Sequence, residues 1–129
     1  MKYWILVALL LVACTGHTDQ ATSDDDVLNS TLYIQSVMAS EMVPHCEQLS
    51  DIGSTDNLLA KWREKHASLI ERGERFLKTT YEAQGYNVDS VIAQQLQKAM
   101  TDFASKSLAE KVSSCRKMID VMRSEMAQS

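Results

Sequence analysis

Six residues of this chain belong to the types that most often bind metals or serve as nucleophile or base: His17, His45, His66, Cys14, Cys46 and Cys115. Their spacing offers no familiar chemistry. The chain has no His-Glu-x-x-His, Gly-x-Ser-x-Gly or Cys-x-x-Cys-His pattern, and no glycine-rich loop to cradle phosphate. No further Cys or His stands at ligand spacing around Cys46 or Cys115, which weighs against a metal site there. The run Asp24-Asp25-Asp26 lacks the glycine and the distal glutamate of a calcium loop. At the start of a helix its charges would instead favour the positive end of the dipole. His66 falls on an apolar helical stripe with no carboxylate or cysteine in step with it, and reads as a hydrogen-bonded core residue. Nowhere do the carboxylates form an acid/base pair. The chain is expected to be non-catalytic, with no cofactor and no metal.

Met118, Met122 and Met126 recur every four residues near the C-terminus. A copper(I) thioether site, a plain core seam with Val112 and Ile119, and an adaptable groove all fit that spacing. The first helix is too short to cover all three. The expectation is therefore an open apolar strip at Met118, Met122 and Met126, suited to an amphipathic helix from a partner.

Four helices are expected to position these residues. The first should run from about Val27 to Met42, with Val27, Ile34, Val37 and Met38 inward and Pro44 as its stop. Gly53-Ser54-Thr55-Asp56 reads as a turn into the second. There Leu59, Trp62, His66, Leu69, Gly73 and Phe76 step by three and four, and the stripe reaches about Gln84, where Gly85 suits a left-handed cap. Gly73 inside a helix costs about 1 kcal/mol against Ala, so either a neighbouring helix approaches closely or the helix bends. The third begins near Asn87 or Val88 and turns Ile92, Leu96, Ala99 and Phe103 inward. Ser107-Leu108-Ala109-Glu110 has the form of a capping box and opens the fourth, whose seam is Leu108, Val112, Cys115, Ile119, Met122 and Met126. No alternating strand pattern is present. The fold class is all-α, a four-helix bundle.

Ahead of this domain, Lys2 is followed by an apolar run that ends in Ala13-Cys14. The run is too short to span a bilayer and has the build of a signal peptide. Leu11-Val12-Ala13-Cys14 resembles the lipobox of bacterial lipoproteins. The resemblance implies removal of residues 1–13, a lipid on Cys14, and sorting to the periplasmic face of the outer membrane, since Thr15 and not Asp follows the cysteine. Residues 14–26 would then be the lipidated cysteine and a polar tether, and 27–129 the helical domain. Loss of Lys2 leaves the mature chain one unit more acidic than the −4 of the whole sequence. That balance argues against nucleic acid and against charge-driven docking on anionic lipid, so the lipid on Cys14 is the expected membrane link.

With Cys14 occupied, Cys46 and Cys115 remain. Two cysteines in an exported domain are expected to form one disulfide, here between the end of the first helix and the inner face of the last.

The layout of Leu11 to Cys14, Cys46 after the first helix, Gly85-Tyr86 between the middle helices and Cys115 in the last resembles the pilotins of type II secretion systems. Those are small outer-membrane lipoproteins that bind a C-terminal helix of the secretin and carry it to the outer membrane. The layout is also similar to periplasmic helical immunity proteins, which block toxins and are often acidic, disulfide-bonded and lipid-anchored. Both resemblances imply a catalytically silent module that binds another protein. A pilotin-like accessory role is the expected function; neutralising a periplasmic toxin or hydrolase is the alternative.

Overall fold

The computed structural model describes residues 23–128, and all of their regular structure is helical. The expected signal segment 1–13, the lipidation site Cys14, Thr15 and His17 lie outside the described residues. Five helices follow one another: α1 (Asp24–Glu47), α2 (Leu58–Lys65), α3 (Ala67–Glu82), α4 (Val88–Ser105) and α5 (Leu108–Ala127).

Ser23 caps α1, its Oγ accepting from the backbone N–H of Asp26 at 3.2 Å. Asp24, Asp25 and Asp26 form the first turn, where their charges complement the helix dipole. The helix thus begins three residues before the expected Val27. It also outlasts its expected stop. Pro44 lies within the last turn, and α1 continues to Glu47. So near the end a proline forfeits one backbone bond, and its ring faces solvent. Cys46, one turn's fraction later, is fixed from outside the helix: it is bonded to Cys115, with Cα atoms 5.6 Å apart.

The inward face of α1 differs from the expected one. Leu32, Ala39 and Val43 are buried together with the polar Asn29, Ser30 and Ser36, whereas Val27 is exposed. Ile34 and Val37 are half-buried against Leu77, Val88 and Ile92, and Met38 is also half-buried. The reason is the place of α1 in the molecule. Each of the other helices packs on it, so it has no single apolar stripe, and Asn29 and Ser30 face its nearest neighbour.

That neighbour is α3. A Cβ added at Gly73 would lie 1.9 Å from the Asn29 carbonyl oxygen, so the two backbones touch where one of them has no side chain. Of the two explanations for Gly73, close approach is the one found. Ser30 Oγ, buried at the same contact, finds no hydrogen-bond partner among the described residues.

The expected single helix from Leu59 to Gln84 is two. His66 leaves helical geometry, with φ −102° and ψ 11°. Its backbone N–H and its Nδ1 both reach the Trp62 carbonyl oxygen, at 3.1 and 2.8 Å. The side chain thereby closes the end of α2, and α3 starts afresh at the next residue. Five helices, not four, make up the bundle.

The remaining boundaries follow local chemistry. Gly85 has φ +87° in the turn after α3, a left-handed conformation that glycine adopts without penalty. Asn87 Oδ1 accepts from the Ser90 backbone N–H at 2.9 Å and starts α4. Ser107 and Glu110 form the full capping box of α5, with bonds of 3.3 and 3.1 Å. Leu108, expected on the α5 seam, is 63% exposed; as the first helical residue it lies beyond the edge of the core. Val112, Cys115 and Ile119 are buried as expected.

Two pairs of contacts fix the directions. Gly73 meets Asn29 and Arg63 Nη1 donates to Ser40 Oγ at 3.0 Å, so α2 and α3 run against α1. Cys115 meets Cys46 and Glu125 meets Trp62, so α5 also runs against α1. One end of the domain therefore holds the disulfide and the other holds the N-terminus of α1 and the α3–α4 turn, while the C-terminus of α5 lies beside the end of α2.

Candidate functional site

The methionines of α5 do not form the expected open strip. Met122 is 5% exposed and belongs to the main core with Leu32, Ala39, Val43, Leu58, Trp62 and Ile119. Met118 and Met126 are half-buried against the same cluster. The cover comes from α2, the short helix created by the break at His66. Periodicity had joined α2 to α3, and that assignment left nothing to lie over the end of α5.

Polar contacts hold α2 in that position. The indole Nε1 of Trp62 donates to Glu125 Oε2 at 2.6 Å, while the ring itself is 1% exposed. Lys65 Nζ donates to the carbonyl oxygens of Glu125 and Met126, both at 3.0 Å, and to that of Gln128. A cation on the unpaired carbonyls at a helix C-terminus satisfies them and matches the dipole. His66 stacks obliquely on Trp62, with ring centroids 5.0 Å apart. Its role here is structural: it ends a helix and packs on the core.

A second polar cluster joins α1, α3 and α4. Lys78 Nζ is 2.8 Å from Glu74 Oε1 and 3.7 Å from Asp89 Oδ2. The hydrogen bond to Glu74 raises the Lys78 amine above its ordinary range. Tyr33, packed against Leu77, Val88 and Ile92, is raised first by burial and then by the nearby charges of Glu74 and Asp89. The arrangement keeps the phenol neutral and the amine charged. These groups tie three helices together.

An open depression is lined by Asp51, Ala109, Val112, Ser113, Arg116, Lys117 and Asp120. Two carboxylates and two cations share its rim, so it concentrates no field of either sign. Among the described residues no three His, Cys, Asp or Glu side chains are grouped to hold a metal ion. None of the described helices is long and apolar enough to cross a membrane. His45 is exposed beside Pro44.

Among the described residues Leu28, Tyr86 and Val121 stand in solvent, as do Val27 and Leu108, both expected to face inward. The available signal for Leu28 was its place four residues before Leu32, on the same helical face. No family model matches this chain, and no curated protein or solved structure matches it.

Proposed function

We propose that this protein is a lipid-anchored envelope protein that works by holding another protein, as a pilotin-like accessory lipoprotein of a secretion system on the periplasmic face of the outer membrane. The observation that carries the reading is the fully buried Cys46–Cys115 bond in a chain whose N-terminus reads Leu11-Val12-Ala13-Cys14. Disulfides of small domains persist in oxidising compartments outside the cytosol, in keeping with export by the segment that resembles a lipobox. The activity is stoichiometric binding, with no reaction catalysed. Since Met122 is in the core, the surface that receives the partner lies elsewhere than the strip Met118–Met122–Met126.

The acidic balance of the chain favours the second reading to a lesser degree, because an excess of carboxylates suits a basic toxin or hydrolase as target. One experiment separates the two. The lipidated protein, cross-linked in its own envelope and recovered, should bring down a subunit of a secretion channel. Recovery of a toxin or hydrolase would transfer the protein to the immunity reading. Fractionation wholly with the inner membrane, or release as a soluble protein with Cys14 intact, would overturn the outer-membrane assignment.

A further inference from the structure

Where the chain enters the domain, two large apolar side chains stand side by side in water. Val27 is 40% and Leu28 54% exposed, one turn after the capped start of α1. Leu28 continues the face on which Leu32 packs with Ile119 and Met122, but nothing among the described residues covers it to the same extent. Tyr86, also exposed, belongs to the α3–α4 turn. The Lys78–Asp89 pair and the Gly73–Asn29 contact place that turn at the same end of the molecule.

We propose that this end of the domain rests on the surface of a zwitterionic lipid bilayer, with Leu28 and Val27 at the level of the headgroups. The proposal builds on the anchoring of Cys14 proposed above and says how the anchored domain is oriented. The length of chain outside the described residues limits how far the domain can stand from the lipid. Nine residue steps separate Cys14 from Ser23, at most about 30 Å when fully extended. A lipid on Cys14 therefore holds the start of α1 near the bilayer. With this end down, the disulfide end stands farther off, since eighteen helical steps from Leu28 to Cys46 amount to about 27 Å.

Charge decides which lipid. Asp24, Asp25 and Asp26 share this end; an anionic surface would repel them, while zwitterionic headgroups carry no net field against them. Magnitude decides the role. Burying two aliphatic side chains contributes roughly 1.5–3 kcal/mol each at most, too little to hold a free protein on a membrane but enough to orient one already tethered. Tyr86 suits the same boundary, being apolar in its ring and polar at its tip.

The test uses the full lipidated chain in phosphatidylcholine vesicles, carrying Leu28→Trp, with Ser50→Trp at the disulfide end as comparison and brominated phosphatidylcholine as quencher. Trp62, buried in the core, supplies the constant background. Emission added by the tryptophan at position 28 should fall by about half or more at headgroup-proximal bromine, that at position 50 should not, and anionic lipid should lessen the quenching. Unquenched emission from position 28 in protein that floats with the vesicles overturns the orientation and leaves the anchoring intact. Unquenched but blue-shifted emission means that a second copy or another protein covers Leu28, and overturns it equally. If the parent chain does not float and its Cys14 carries no lipid, the anchoring reading falls and the orientation with it.

Discussion

At Gly73 two effects of one methyl group compete. In an open helix Gly→Ala gains about 1 kcal/mol of propensity. Here the added Cβ would collide with the Asn29 carbonyl, a backbone group that cannot swing aside, and forced overpacking costs typically 1–3 kcal/mol or more. Gly73→Ala should therefore lower stability in urea by about 2 kcal/mol, the clash exceeding the gain; a neutral or stabilised variant would mean that α1 and α3 do not touch. Met122→Asp places a carboxylate among Leu58, Trp62 and Ile119 and should unfold the domain outright, a loss of several kcal/mol visible by circular dichroism. Tyr33 gives a readout in pH. Its folded value lies above the ordinary 10.0, so the folded chain binds the proton more tightly than the unfolded one. The stability linked to it is whole below pH 10 and is lost as pH rises through the folded value; Lys78, also raised, acts in the same direction. Ultraviolet titration should show Tyr33 ionising late, and Tyr33→Phe should remove that contribution.

Helix ends with a chemical signature were legible in the sequence, and helix ends without one were not. The capping box at Ser107 and Glu110, the Asn87 cap and the glycine at position 85 each put a side chain, or the lack of one, where the backbone needs it, and each is found in place. Ser107→Ala should accordingly cost about 1 kcal/mol, measured by thermal melting. The break at His66 leaves no such mark. Trp62, His66 and Leu69 keep the step of four and three straight across it, so the apolar pattern of one long helix and of two successive ones is the same. The deciding event is a side chain bending back to a carbonyl, which periodicity does not record. Pro44 misled in the opposite sense: it gives up the helical bond from its own nitrogen, yet α1 runs on to Glu47, with Cys46 held by the disulfide. The buried face of α1 was hidden for a third reason: Asn29 and Ser30 are buried by the close approach of their backbone to Gly73 of α3, not by hydrophobicity.

For the molecule as a whole, counting cysteines located the clasp between the first and last helices, and the pair is found joined. In the loop-entropy view, a closed loop spanning 69 residues contributes about 4 kcal/mol by restricting the unfolded chain. Cys115→Ser should thus destabilise the domain by about 2–5 kcal/mol in a denaturant titration, and reduction of the parent chain should match it. What counting could not supply was the place of α1 at the centre, or the short α2 laid over Met122. Both depend on which faces meet, and a helix surrounded by neighbours carries no one-sided pattern to read.

The central position of α1 also has a consequence in time. Synthesis proceeds from the N-terminus, so the helix on which all the others pack is made first and its covering is made last. At about 5–20 residues per second, the 69 residues between Cys46 and Cys115 take roughly 3–14 s to emerge. Through that interval Leu32, Ala39 and Val43 have no completed partner, and Cys46 waits as a lone thiol for a cysteine not yet made.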